Sequence, residues 1–105
     1  MENLTFRHKV TKAARGTKPQ AIVGVVASGN LEVLVERVMP EADCVVEIAT
    51  TAPGFADIWA AVIGDFVERY SPGGLRMSIN DGGARPDAVS LRLAQGLRLI
   101  EEDGI

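Results

Sequence analysis

Hydrophobic residues dominate residues 21–36, and their spacing changes part-way through this stretch. The first part is apolar at nearly every position, which predicts a central strand covered on both faces. The second part alternates, as a strand with one buried face does, and its apolar face comprises Leu31, Val33 and Val35. Between the two parts, the sequence SGNL at residues 28–31 predicts a two-residue turn, because glycine and asparagine tolerate positive φ. The stretch therefore predicts a β-hairpin whose turn is centred on Gly29 and Asn30.

Downstream of the hairpin, the hydrophobic pattern predicts further strands and two helices. Residues 43–51 and 75–80 alternate as strands do. Residues 55–70 and 86–103 repeat apolar side chains at intervals of three and four, which is the period of a helix. The chain thus predicts an α+β fold, with a mainly antiparallel sheet of four to five strands and two helices packed on one face, in the order ββ-β-α-β-α.

The apolar faces of these elements predict the core. Cys44 lies on the apolar face of its strand, so it is expected to be a small core residue rather than a nucleophile. Trp59 is likewise expected to be core rather than a platform for a ligand. The stripe of the first helix comprises Phe55, Ile58, Trp59, Val62, Phe66, Val67 and Tyr70. The second helix begins at Pro86, and its stripe comprises Val89, Leu93, Leu97 and Ile100.

Charge is unevenly distributed along the 105 residues, whose formal net charge is −3. The first twenty residues carry one acid, Glu2, and five basic side chains: Arg7, Lys9, Lys12, Arg15 and Lys18. We therefore divide the chain into a basic N-terminal arm at residues 1–20, with a short edge strand at residues 4–6, and a single α+β domain at residues 21–105. The arm is either a solvated terminus or an electropositive lip that holds an anionic group near the hairpin. The negative net charge disfavours nucleic acid as a partner.

Catalysis by the isolated chain is not expected. The chain has one histidine, His8, and one cysteine, and it lacks a nucleophile elbow, a phosphate-binding loop and a cluster with metal-ligand spacing. A single cysteine cannot form an internal disulfide, which favours a reducing, cytoplasmic setting, and no apolar run is long enough to cross a membrane. Two alternatives remain open: an enzyme using His8 with an acid such as Asp81, and a small binding or regulatory module without a covalent cofactor.

Ser28 occupies a position that suits attachment chemistry. At the edge of the predicted turn its hydroxyl is expected to face solvent, which fits either a covalent attachment site or an ordinary turn, where serine is common. Helical acyl carriers attach phosphopantetheine to a serine directly after an aspartate. None of the four serines of this chain follows an aspartate, and the predicted sheet does not fit that fold. A carrier role would therefore need a carrier of another kind.

Three segments resemble a known family of such carriers. They are VVASGNLEVLV at residues 25–35, DGGA at residues 81–84 and LRLAQGL at residues 91–97. Together they resemble the malonate decarboxylase acyl carrier proteins, the delta subunits of that complex, and more distantly the citrate lyase acyl carrier protein. The resemblance runs from about residue 4 to residue 97. The family often has aspartate where this chain has Asn30, and both residue types suit a turn.

The resemblance implies a specific site and set of partners. It implies that Ser28, flanked by Gly29 and Asn30, carries covalently bound 2'-(5''-phosphoribosyl)-3'-dephospho-CoA through a phosphodiester bond. The terminal thiol of that group would hold acetyl and malonyl groups, so the chain would be a non-catalytic, cytoplasmic carrier in malonate catabolism. The implied partners are a malonyl/acetyl transferase subunit, the decarboxylase subunits and the transferase that installs the prosthetic group, with no nucleic acid, membrane or metal ion involved.

Overall fold

One mixed five-stranded sheet and two helices form the fold. The computed structural model describes residues 1–25 and 28–102, and for residues 25 and 28–30 it describes the backbone. The elements are β1 (Glu2–Lys9), β2 (Gln20–Val25), β3 (Ser28–Glu36), β4 (Asp43–Thr50), α1 (Ala56–Tyr70), β5 (Leu75–Asp81) and α2 (Pro86–Glu101). The strand order is β1-β4-β5-β3-β2, and only the β4–β5 pair is parallel among the described strands. The predicted α+β class and mainly antiparallel sheet are confirmed.

The parallel pair and the edge strands follow from the connections. Strands β4 and β5 are joined through α1, and a parallel pair needs such a crossover because a tight turn reverses the chain. The segment at residues 4–6 lies within β1, which pairs with β4 along its whole length and forms one edge of the sheet. The other edge is β2, so β3, β4 and β5 lie inside the sheet. The prediction that the first arm of the hairpin is a central strand covered on both faces is wrong, since β2 is an edge strand and Ile22 is exposed.

The core lies between the helices and one face of the sheet. Buried side chains of β3, β4 and β5 occupy matching register positions, as in the row Val35–Met77–Val46. The strand face predicted for β3 is confirmed, since Leu31, Val33 and Val35 are fully buried. Cys44 is fully buried too, as predicted. Burial of these apolar surfaces is the main stabilising contribution to a domain of this size.

Helix α1 presents a narrower buried face than the sequence predicts. Its buried residues are Trp59, Ile63, Phe66 and Val67. Trp59, Phe66 and Val67 were expected, and Ile63 was not. The predicted stripe is wrong at Ile58 and Tyr70, which are exposed, and at Phe55, which is exposed and precedes the helix. The sheet and α2 cover only part of the apolar arc, so its outer positions remain at the surface.

Helix α2 agrees with its predicted pattern and packs closely on β3. Pro86 is in the first turn, and the four predicted stripe residues are buried. A Cβ atom at Gly96 would lie 2.9 Å from Cγ2 of Val35, so glycine allows the helix to approach the sheet. The helix ends at Glu101 rather than at residue 103, which lies outside the described residues. None of the described helices is long and apolar enough to cross a membrane.

The unequal burial of two isoleucines in α1 gives a stability prediction. Ile63 is fully buried and Ile58 is 46% exposed. We expect Ile63→Ala to lower the free energy of unfolding by about 2–5 kcal/mol, the usual cost of truncating a core isoleucine. Ile58→Ala is the matched control, with an expected loss below about 1 kcal/mol. Urea denaturation followed by circular dichroism measures both, and equal losses would contradict the assigned helix face.

Candidate functional site

The predicted hairpin is present, but its turn lies earlier in the chain than expected. Val25 of β2 pairs with Ser28 of β3, so the connection falls at residues 26 and 27, outside the described residues. The prediction of a turn centred on Gly29 and Asn30 is wrong, because both residues belong to β3.

A register shift next to Gly24 explains the difference. Val23 pairs with Val33, and the following pair is Val25–Ser28, so residues 29–32 lie opposite Gly24 alone. Gly24 has φ +76°, and a Cβ atom there would lie only 2.5 Å from the carbonyl oxygen of Leu31. Only glycine fits this position.

Ser28 lies at the free end of the hairpin. The pairing of β3 with β5 begins at Leu31, opposite Asp81, so residues 28–30 have no partner in β5. Ser28 lies opposite Val25, which is two residues or about 7 Å beyond the Val23–Val33 pair, so Ser28 is nearly level with Leu31 along the sheet. The sheet therefore holds the base of the hairpin next to the segment that begins with Ser28.

Asp81 anchors the base from which this hairpin extends. Its side chain is 6% exposed, and it pairs with Leu31 of β3 on one side and with Thr50 of β4 on the other. The hydroxyl of Thr50 donates a hydrogen bond to Oδ2 of Asp81 at 2.7 Å, and the backbone N–H of Ala84 donates to Oδ1 at 2.8 Å. The sequence predicted a turn at residues 81–83 and, in the enzyme alternative, an acid at Asp81, but nothing in the pattern indicates that this aspartate is buried.

The basic residue placed next to the hairpin is Arg92 of α2. The position that a Cβ atom would take at Gly24 lies 3.4 Å from Nε and 3.6 Å from Cζ of Arg92. Because Gly24 precedes Val25, the strand partner of Ser28, the Arg92 guanidinium lies close to the backbone of the hairpin. No pattern in the sequence indicates this proximity, because residues 24 and 92 are brought together by packing of α2 on the sheet.

The basic N-terminal residues do not form the predicted electropositive lip. Arg15 pairs with Glu101 at 3.8 Å, and Lys18 pairs with Glu102 at 3.8 Å. Glu101 is the last residue of α2 and Glu102 follows it, whereas the first half of this helix lies at the hairpin end of the sheet. From Arg92 to Glu101 the helix rises about 14 Å away from the hairpin. The lip hypothesis is wrong because the acidic end of α2 attracts these side chains to the far end of the domain.

The residues of the enzyme hypothesis are far apart. His8 lies opposite Cys44 of β4, whereas Asp81 lies opposite Thr50, six residues further along that strand. This separation is about 20 Å along the strand direction, too far for joint acid–base work. No group of three or more potential metal ligands occurs among the described residues.

Known proteins match the part of the chain that contains the three segments at residues 25–35, 81–84 and 91–97. A sequence model of the malonate decarboxylase delta subunit (MdcD) matches residues 18–100. The chain is 68% identical over 104 residues to the malonate decarboxylase acyl carrier protein of Bradyrhizobium diazoefficiens, covering 99% of each sequence. It belongs to the malonate decarboxylase delta subunit family.

Further members of this family are similar over nearly the whole chain. The malonate decarboxylase acyl carrier protein of Xanthomonas euvesicatoria is 52% identical over 101 residues, with 96% of each sequence covered. A chain from the crystal structure of a Pseudomonas malonate decarboxylase hetero-tetramer in complex with malonate is 36% identical, with a TM-score of 0.82. That match covers 95% of this chain and 99% of the other. The family resemblance predicted from the sequence is confirmed.

Cys44 is predicted to be unreactive in the folded delta subunit. The thiol is fully buried, and burial raises its pKa from 9.0 to about 12, because desolvation disfavours the thiolate. We expect labelling by a disulfide reagent at pH 8 to be at least about 100-fold slower in the folded apo chain than in urea. Mass spectrometry measures the labelled fraction, with Cys44→Ala as the blank. Labelling of the folded chain at the rate of a free thiol would contradict this placement.

The same raised pKa predicts how stability depends on pH. Below pH 9 the thiol is protonated in both the folded and the unfolded chain, so it contributes no pH dependence. Between pH 9 and about 12 the unfolded thiol ionises and the folded one does not, so this group makes the folded chain less stable as pH rises. Urea midpoints above pH 9 should therefore fall less steeply in Cys44→Ala than in the parent chain. Identical slopes would contradict the shift.

Proposed function

We propose that this chain is the acyl carrier subunit of a malonate decarboxylase and that Ser28 carries its prosthetic group. The observation that carries the proposal is the hairpin end of β3, which begins with a serine three residues before the pairing with β5 begins. The names of the relatives that match nearly the whole chain support the same role. The chain itself would tether the acyl group and leave the chemistry to other subunits.

The residues around Ser28 fit a phosphodiester-linked group. A serine hydroxyl is the group that such a bond requires, and residues 28–30 have no partner in β5, so a modifying enzyme can reach their backbone without breaking the β3–β5 pairing. Arg92 brings a permanent positive charge next to this segment, which suits the phosphates of 2'-(5''-phosphoribosyl)-3'-dephospho-CoA. When bound, that group would supply a thiol that carries acetyl and malonyl groups as thioesters.

The chain's own contribution would be to fix the attachment point. The β3–β5 pairing and the bonds of Asp81 hold the base of the hairpin, so the attached group pivots about a defined position. Tethering of this kind raises the local concentration of a substrate to the millimolar range when the linker is short and flexible. Gly29 and Asn30 belong to the proposed site as the residues that follow Ser28 in this segment.

The proposed partners are the enzymes that load and process the arm. A similar chain was solved within a Pseudomonas malonate decarboxylase hetero-tetramer, which supports assembly with other subunits. We propose that these include a malonyl/acetyl transferase subunit and the decarboxylase subunits. A separate transferase would install the prosthetic group in the cytoplasm.

Intact mass tests the attachment site. The chain purified from cells that grow on malonate should show a mass gain equal to the phosphoribosyl-dephospho-CoA group, and Ser28→Ala should show none. The matched control is Ser90→Ala, which removes an exposed serine of α2 and should keep the full gain. A gain equal to phosphopantetheine alone would retain the carrier and reject this prosthetic group. An unmodified chain would contradict the carrier function and favour a binding module.

Arg92 is predicted to assist loading of Ser28. Replacing it by glutamine removes a positive charge next to the hairpin, and a charge-assisted contact contributes about 1.5–3 kcal/mol. We therefore expect Arg92→Gln to lower the rate constant of prosthetic-group transfer by about tenfold or more. The matched control is Arg98→Gln, an exposed position further along α2, which should keep the original rate. Transfer followed by intact mass gives both values, and equal rates would remove Arg92 from the site.

A further inference from the structure

An apolar cleft opens between the N-terminal ends of α1 and α2. Its volume is about 290 Å³, and its apolar lining includes Phe55, Ile58, Trp59, Val62, Ala84 and Val89. Trp59 and Val89 form the buried part, with 6% and 2% exposure, whereas Phe55 and Ile58 are about half exposed at the entrance. These are two of the residues that the helix pattern wrongly placed in the core. Large apolar side chains around a concave surface are typical of a site that binds something.

The cleft lies at the same end of the sheet as Ser28. Asp81 lines it and is also the β5 residue that pairs with Leu31 at the base of the hairpin. Ser28 lies opposite Val25, two residues beyond the Val23–Val33 pair, so it is nearly level with Leu31 along the sheet. A flexible group attached to Ser28 therefore starts within a short distance of the cleft.

Two arginines, one on α2 and one just before it, complement an anionic linker that would run from Ser28 to the cleft. Arg92 lies next to Gly24 in the hairpin, and Arg85 lines the cleft just before the helix begins. The Arg85 side chain is 85% exposed and lies 3.5 Å from Asp87, so it can also contact a phosphate in solution. Phosphates attached to Ser28 could thus contact the guanidinium of Arg92 near the hairpin or that of Arg85 at the cleft.

We propose that this cleft shelters the acyl-thioester end of the arm on Ser28, an inference that rests on the proposed function. The cleft is at the lower limit of the roughly 300–1,000 Å³ found for small-molecule sites, so it suits a short acyl group and its linker rather than a nucleotide. Asp81 lines the cleft, and its carboxylate would repel the carboxylate of a malonyl group, because apolar surroundings screen charges poorly. The cleft is therefore selective for the neutral acetyl group over the malonyl group.

Protection of the thioester from a neutral nucleophile tests this proposal. Hydroxylamine attacks the thioester carbonyl, the carbon–sulfur bond breaks, and the acetyl group leaves as acetohydroxamic acid while the thiol takes a proton. With the loaded, acetylated chain we expect cleavage about fivefold slower than for free acetyl-CoA, which corresponds to a sheltered fraction of about 80%. Malonyl on the same arm, compared with malonyl-CoA, should be protected less than about twofold.

Ile58→Glu places a charge at the entrance and should raise acetyl cleavage to the rate of free acetyl-CoA. Leu91→Glu is the matched control, because Leu91 is 59% exposed on α2 and does not line the cleft, and it should stay protected. Trp59 is the single tryptophan of the chain, so its fluorescence gives a second readout. Its emission should differ between the apo and acetylated forms of the parent chain and of Leu91→Glu, and should not differ in Ile58→Glu.

The outcomes separate this inference from the function on which it rests. A chain without the mass gain at Ser28 would contradict both. A loaded chain that is cleaved at the free rate, with unchanged Trp59 emission, would overturn the shelter and leave the carrier function intact. If Ile58→Glu slows acyl exchange by partner subunits but leaves hydroxylamine cleavage unchanged, the cleft is a docking surface for a protein instead.

Discussion

The carboxylate of Asp81 is held at the point where three strands and a helix converge. Its strand neighbours belong to β3 and β4, and its two side-chain oxygens accept bonds from Thr50 and from the backbone just before α2. Its own carbonyl oxygen accepts a bond from Thr51 N–H at 3.1 Å. A buried carboxylate is tolerated only where donors satisfy it, so the end of the sheet and the entry to α2 are specified together.

The far end of the domain is organised by a different charged residue. Arg37, just after β3, donates to the carbonyl oxygens of Ala14, Arg15, Lys18 and Ile100 at 2.8–3.0 Å. These bonds tie the segment between β1 and β2 to the end of α2. Arg15 and Lys18 belong to this framework, whereas Arg92 is packed next to the hairpin at the other end. The domain thus has one end fixed by main-chain contacts and another that carries the end of the β2–β3 hairpin.

The sequence predicted those features that depend on local periodicity. The faces of β3 and α2 were correct because Leu31, Leu93 and their neighbours follow the spacing of one buried side. The turn was misplaced because its position depends on Gly24 approaching the carbonyl of Leu31, a contact made across two strands. The roles of Asp81 and Arg92 depend on packing in the same way. The role proposed for Ser28 came from family resemblance, since a serine near a turn is common in any protein.

The two halves of the proposed site rest on different physical interactions. Attachment depends on the backbone of residues 28–30 and on the charge of Arg92, whereas shelter depends on apolar surface contributed by α1. Asp81 is common to both, because it supports the base of β3 and lines the cleft. A change at Asp81 would therefore disturb loading, shelter and stability at once. Ile58 lines the cleft, and Arg92 lies at the hairpin without lining the cleft, so these two positions would distinguish loading of the proposed arm from protection of the group that it would carry.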